Sequence, residues 1–320
     1  MKEIALKNKA RTSADEIENY YIRGDKPVGV LHIFRELDAH ILMKPDDFYR
    51  ITYEYLEGIA VHSVRYAEFF WNPTGTIKEA GIAYPQVQDS IMQAMADAEK
   101  DFNIISRLIP SIDRQASSDD AVEMVRLVNA YRKPEVIGIG IDYNEVDRPP
   151  EMFTEAFDLA NKAGLKATAH AGEFGMPWNN VQTALDTLKA DRIDHGYTIL
   201  DNPELTNRCV EQGITFTVVP TNSYYLRTLP PEDWAKMHPI RTMGKAGIKI
   251  HPNTDDPSFH LTNPTKCWLS MHSDFDYDLD DLKAFMINGL DGAWIDDAMR
   301  LKWKREWASE FDSLRKEYRL

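Results

Sequence analysis

Seven short apolar, β-rich runs recur along the chain between longer stretches of helical character, an alternation that points to parallel βα units. They are Val64 to Phe70, Ile104 to Ile109, Val136 to Ile141, Lys166 to His170, Arg192 to His195, Thr215 to Val219 and Ile248 to Pro252. Helix candidates lie at Pro45 to Val61, Tyr84 to Lys100, Asp119 to Tyr131 and Pro150 to Gly164, the last with a proline in its first turn and a glycine at its end. Polar residues follow each strand: Asn72-Pro73, Ser111-Ile112-Asp113, Asp142-Tyr143-Asn144-Glu145, Gly172-Glu173, Gly196-Tyr197, Thr221-Asn222-Ser223 and Asn253-Thr254-Asp255-Asp256. A (β/α)8 barrel builds its site at the C-terminal strand ends, whereas a doubly wound sheet concentrates chemistry near one switch point. With no GxGxxG or GxxxxGKS loop present, the expectation is an α/β fold, a TIM-type (β/α)8 barrel in one domain over residues 1–320. The helical stretches ahead of the first run, Ser13 to Tyr21, Val28 to Leu42 and Pro45 to Val61, leave the count one strand short. Residues 1–60 read as a helical lid or packing region.

Composition narrows the function. A chain of 320 residues, 43% hydrophobic, buries a large core without staples. Its 37 basic against 51 acidic residues give a net charge of -14, with no dense basic patch for a nucleic acid. Cys209 and Cys267 stand far apart in sequence, too few for a disulfide framework, which fits a cytoplasmic protein. The N-terminus lacks the apolar core of a signal peptide, and no run approaches the ~20 apolar residues of a membrane span.

Three strand ends carry chemistry. In KATAHAGE a strand closes on His170, and Glu173 follows three residues later. A neutral imidazole there can bind zinc, and the carboxylate can reach the same pocket as a proton donor or acceptor. A hydrogen-bonded core histidine is the plainer reading of that motif alone. RIDHGY ends the next unit with His195 before a glycine that permits close approach; the plainer reading is a buried histidine held by Asp194. KIHPNTDDP ends a third strand on Asp255 and Asp256, which diverge in direction, so that one can hold a metal while the other faces substrate. Alone, paired aspartates are common in turns. Three such sites in one barrel reinforce one another.

The set HAGE (His170 to Glu173), DHGY (Asp194 to Tyr197), VVPTNSYYL (Val218 to Leu226), NTDDP (Asn253 to Pro257) and the closing Asn288-Gly289-Leu290 and Ala293-Trp294 resembles the adenosine deaminase family of zinc hydrolases. The resemblance runs from about residue 46 to about 297. It implies one Zn2+ per subunit, with His170 and Asp255 as ligands. Glu173 would protonate the purine ring, His195 hold or deprotonate the attacking water, and Asp256 bond the purine N7. The implied partner is a small purine, and the implied reaction is hydrolytic deamination, adenosine to inosine plus ammonia.

The sequence departs from that pattern in two places. The resemblance implies an HxH pair on a first barrel strand, yet none of the nine histidines stand at i, i+2. Met1 falls where the segment after that strand would begin, so an N-terminally truncated form with weak zinc binding and little activity is expected. His32 and His40, eight apart on an amphipathic helix, are distant substitutes, and His251 is expected at the barrel wall or interior. The second departure is Tyr143, which stands where a purine-contacting glycine is implied; with Asn144 it is a candidate substrate contact that narrows the pocket or stacks on a base. Adenine or a modified adenine nucleoside or nucleotide are therefore alternatives to adenosine. Another metal-dependent barrel hydrolase and a metal-poor purine-binding barrel also remain open.

Overall fold

The computed structural model describes residues 1–12, 16 and 31–320. Its centre is a parallel sheet of seven strands in sequence order: β1 (Tyr66–Trp71), β2 (Ile105–Asp113), β3 (Gly138–Asp142), β4 (Lys166–Ala171), β5 (Arg192–His195), β6 (Thr215–Val218) and β7 (Lys249–Pro252). The curled sheet is that of a (β/α)8 barrel lacking one strand. Among the described residues no strand pairs with the outer edge of β1 or of β7. Strands β2 to β6 are predominantly buried, as parallel strands covered by crossover helices must be, whereas Tyr66 to Phe70 of the edge strand β1 are only half-buried.

Two local readings change. The expected second strand stops at Ile109, before Pro110, but β2 runs on to Asp113. β2 pairs with β1 as far as Trp71 opposite Pro110, and its ladder toward β3 is interrupted between the Leu108–Val136 bridge and the alignment of Ser111, Ile112 and Asp113 on Gly140, Ile141 and Asp142. Proline is tolerated in that gap because no continuous ladder there needs its missing donor. The single helix expected over Pro150 to Gly164 is a 3-10 turn, Pro150–Phe153, followed by an α-helix, Thr154–Lys162. The other expected helices form at Pro45–Ala60, Tyr84–Phe102 and Ser118–Ala130. The first carries a proline in its opening turn and Asp46 and Asp47 at its positive end.

One buried core runs from Ile4 through the barrel to Phe285. Inside the barrel, Arg192 of β5 pairs with Glu68 of β1 and donates to the Gly292 carbonyl at 3.1 Å. Its guanidinium lies 4.0 Å from the centre of the Trp294 ring, and the Trp294 amide donates to Glu68 Oε1 at 2.7 Å. A Cβ at Gly138 would fall 2.4 Å from that ring, so glycine is what lets Trp294 close on the barrel. Of the expected N-terminal helices, Ser13 to Tyr21 (Glu16 apart), Val28 to Gly29-Val30 and the side chain of His32 lie outside the described residues. The helix Leu31–Glu36 continues as a π-helical turn, Leu37–Ile41, from which Phe34, Leu37 and Asp38 reach the cavity at the strand ends.

Candidate active site

A cavity of about 610 Å3 occupies the C-terminal ends of the strands and extends between the free edges of β1 and β7. His170, Glu173, His195, Asp255, Asp256 and Tyr143 all line it, so the structure brings together nearly every residue singled out from the sequence. Asn144 is not among the lining residues; its Oδ1 accepts from the Val146 amide at 3.0 Å and shapes the loop instead.

Left-handed backbone aims several of these side chains. His195 (φ 68°), Asp255 (φ 52°) and Tyr143 (φ 67°) all lie just where their strands end. A residue continuing the strand would alternate outward, and the turn redirects it over the mouth. Such conformations cost of order 1–3 kcal/mol and persist only where the surroundings enforce them.

Asp194 and His170 are opposed in the β4–β5 register. His170 Nδ1 lies 3.2 Å from Asp194 Oδ2, so the sequence reading that gave Asp194 to His195 is corrected. Neighbours on one strand point apart, whereas residues opposed across strands meet. Asp194 also accepts from Thr168 Oγ1 at 2.8 Å and Thr217 Oγ1 at 2.7 Å. Burial would raise the Asp194 carboxyl, but these partners and the Arg192 charge hold it down to about 2. Burial likewise opposes charge on His170, and Asp194, Glu173 and Asp142 together outweigh it, lifting the imidazole to about 9. With Nδ1 committed to the carboxylate, Nε2 is the nitrogen left for a metal.

His195 is bonded otherwise. Its Nδ1 lies 3.2 Å from the Tyr197 hydroxyl, which donates to the Val219 carbonyl and accepts from the Val219 amide. A hydroxyl whose proton is committed to a carbonyl accepts from Nδ1–H, leaving Nε2 with a free lone pair. Burial and the neighbouring His170 charge pull His195 down to about 3, so it is neutral. Its Nε2 is 3.6 Å from Glu173 Oε2. Burial pushes Glu173 up to about 8, with the charges of Asp255 and Glu145 acting in the same sense against His170 and Asn222. Asn222 fixes the other oxygen, donating from Nδ2 to Glu173 Oε1 at 3.0 Å while its own Oδ1 caps the helix Ser223–Thr228.

The two aspartates divide. Although burial opposes it, contact with His260 at 3.3 Å and the nearby histidine charges keep Asp255 ionised. Burial and the Asp255 charge drive Asp256 well above the carboxylate range. Ligand atoms of Glu173, His195 and Asp255 lie within 4.8 Å of one another, as do those of Asp255, Asp256 and His260. His170 falls in neither group, but its ring centre is 4.5 Å from that of His195. His170 Nε2, once freed of its proton, and the ionised Asp255 carboxylate are nitrogen and oxygen donors of the kind zinc takes, with His195 Nε2 beside them.

His40, a distant substitute ligand in the sequence, bonds Glu36 at 2.9 Å and is not among the lining residues. His251 does line the cavity, as its position in the last strand suggested, with Nδ1 3.0 Å from the Phe285 carbonyl. His260 was missed; its only sequence signal is its place five residues after Asp255. Glu145 and Arg114 were missed as well, since no local pattern reveals what a side chain meets two strands away.

Comparison with known proteins agrees with this geometry. A family profile described as adenosine deaminase matches residues 7–308. An adenine deaminase from Marinomonas sp. is 32% identical over 260 residues, 81% of this chain and 76% of that protein. A zinc-bound amidohydrolase from Burkholderia ambifaria has a TM-score of 0.97 and 57% identity, covering 98% of this chain and 86% of that one. An adenine deaminase from Arthrobacter aurescens has a TM-score of 0.87 and 26% identity, covering 97% and 93%.

Proposed function

The chain belongs to the adenosine deaminase family, and on that premise we propose that it is a zinc-dependent hydrolase that deaminates adenine, the free base, to hypoxanthine and ammonia. The observation that carries the reading is that His170, Glu173, His195, Asp255 and Asp256 all converge on one cavity at the strand ends. Burial raises Glu173 and Asp256, while the neighbouring histidines hold Asp255 low. A site that must donate to ring nitrogens and also hold a cation needs that division. Adenosine was the first expectation from sequence; two of the three relatives named above are adenine deaminases, and Tyr143 crowds the cavity beside Phe34, ring centres 5.6 Å apart, which favours the smaller base.

His170 and Asp255 would hold the metal, with His195 beside them. Bound there, zinc would supply Lewis acidity of the kind that lowers the pKa of water to ~7. His195 Nε2 accepts a proton from the attacking water. Glu173 gives its proton to the ring nitrogen next to C6, so negative charge does not accumulate on the ring as the C–O bond forms. Asp256 donates a hydrogen bond to N7. The amino group takes the proton held on His195 and leaves as ammonia, while the proton of the new C6 hydroxyl returns to Glu173 and the oxygen of water remains on C6 as the carbonyl.

The test is release of ammonia from adenine and adenosine, and of methylamine from N6-methyl-AMP, by the purified chain supplied with zinc, beside its metal content by elemental mass spectrometry. Zinc below one per chain, as the missing HxH pair implies, and preferential turnover of adenine over adenosine are expected. Turnover of adenosine over adenine would overturn the choice of base. Tight purine binding with zinc present and no turnover would favour the binding-protein alternative.

A further inference from the structure

Beneath the loop that carries Glu173 lies a buried ion pair that the chemistry above does not use. Arg114 follows the end of β2, and its side chain is fully buried. It crosses beneath the end of β3 to donate from Nη2 to the His170 carbonyl, and from Nη1 to the Arg148 carbonyl at 3.3 Å. The Glu145 carboxylate, 1% exposed, lies 3.8 Å from Nη1. Its Oε1 accepts from the Gly172 amide at 2.9 Å and from Asn180 Nδ2 at 2.7 Å, and its Oε2 accepts from the Glu173 amide at 3.0 Å.

At the end of β4 and in the turn after it, the hydrogen bonds of this pair fall on the backbone of His170, Gly172 and Glu173, within one run of four residues. The cation grips the carbonyl of the first, and the anion grips the amides of the last two. Between them Gly172 turns the chain at φ 70°, where a Cβ would fall 2.5 Å from Thr198 Oγ1. A general packing role would not need both charges on one turn. Buried charges are costly to strand, so neither member can be lost without exposing the other to an apolar interior.

We propose that Arg114 and Glu145 are positioning residues, which fix the separation between the metal-holding imidazole of His170 and the proton-donating carboxyl of Glu173. The inference rests on the roles assigned to those two residues above. Placement errors of about 1 Å are worth about 100-fold in rate, which is the scale at which such a clamp matters.

The test compares wild type with Glu145→Gln and Arg114→Lys by crystal structure, steady-state kinetics on adenine and zinc content. Glu145→Gln preserves volume but turns an NH2 toward one of the two amides. The expected result is a displaced 170–173 turn, a changed Glu173–His195 distance, and kcat reduced about 100-fold, with KM and zinc content little altered. Glu145→Asp, which keeps the charge opposite Arg114, should recover part of kcat; should the glutamine variant not fold, this one carries the test. An unmoved turn, or an unchanged kcat in the folded variant, overturns the proposal. A merely structural role would lower the melting temperature and leave kcat intact. If the zinc-loaded wild type releases no ammonia from adenine, the deaminase reading fails, and the crystal comparison alone decides the positioning role.

Discussion

Asp194 Oδ2 holds the Nδ1 of His170 at 3.2 Å from the opposing position on the neighbouring strand, and this one contact decides which imidazole nitrogen faces the cavity. Thr168 and Thr217 flank the carboxylate, so its orientation is in turn fixed from β4 and β6. Asp194→Asn keeps the shape but removes the charge. Zinc affinity should fall about 10- to 100-fold, as read by competition with a chelator. Wild-type affinity in the variant would mean that His170 is not a ligand.

Glu173 must be protonated to act as an acid. Burial lifts it to about 8, so the acid is competent below that pH and is lost as pH rises through it. The basic limb of the kcat profile should therefore lie toward pH 8, far above the ~4.3 of an ordinary glutamate. Glu173→Gln should lose at least about 100-fold in kcat and lack that limb. A profile in the variant that retains both its height and its limb would assign the proton to another group.

His238 is enclosed by the rings of Tyr197, Tyr225, Trp234 and Phe275, and burial pulls it down to about 3. Above the unfolded pKa of ~6.5 the group is neutral in both states and adds no pH dependence; below it only the unfolded chain takes up the proton. Stability therefore drops by up to about 1.4 kcal/mol per pH unit from this residue as pH falls toward 3. Denaturant unfolding at neutral and mildly acidic pH should show a shallower loss in His238→Gln than in wild type. Equal slopes would exclude His238 as a source of the acid sensitivity.

Tyr143 combines a left-handed backbone with a ring against Phe34 and under the Arg35 guanidinium, 4.7 Å from the ring centre. Tyr143→Gly relieves the backbone and opens the cavity. The kcat/KM ratio of adenosine to adenine should rise about tenfold or more. An unchanged ratio would show that the ring does not set which purine enters.

Glu68 and Arg192 form a buried pair inside the barrel, and the Glu68 carboxylate also accepts from Trp294 and Tyr66. Removing one partner leaves the other uncompensated. Glu68→Ala should cost about 3–5 kcal/mol in thermal or denaturant unfolding. A loss below 1 kcal/mol would mean that the charge is solvated.

The alternation of apolar runs and helices was enough to specify a parallel barrel, because strand and helix periodicities are local and hydrophobic burial acts on them directly. All seven strands appear within a few residues of the expected runs, the longest extension being that of β2 past Pro110. His170, Glu173, His195, Asp255 and Asp256 were legible as well, since a barrel gathers its strand ends at one face and chemistry-bearing residue types stood at three of them. What the sequence left undecided was partnership. That Asp194 serves His170, that His260 meets Asp255, and that Arg114 and Glu145 clamp one turn depends on register and on crossings between strands, which are set only when the sheet closes. Protonation was equally out of reach. Two adjacent aspartates are chemically identical along the chain, and only the burial and charge of the folded site push one down and the other up.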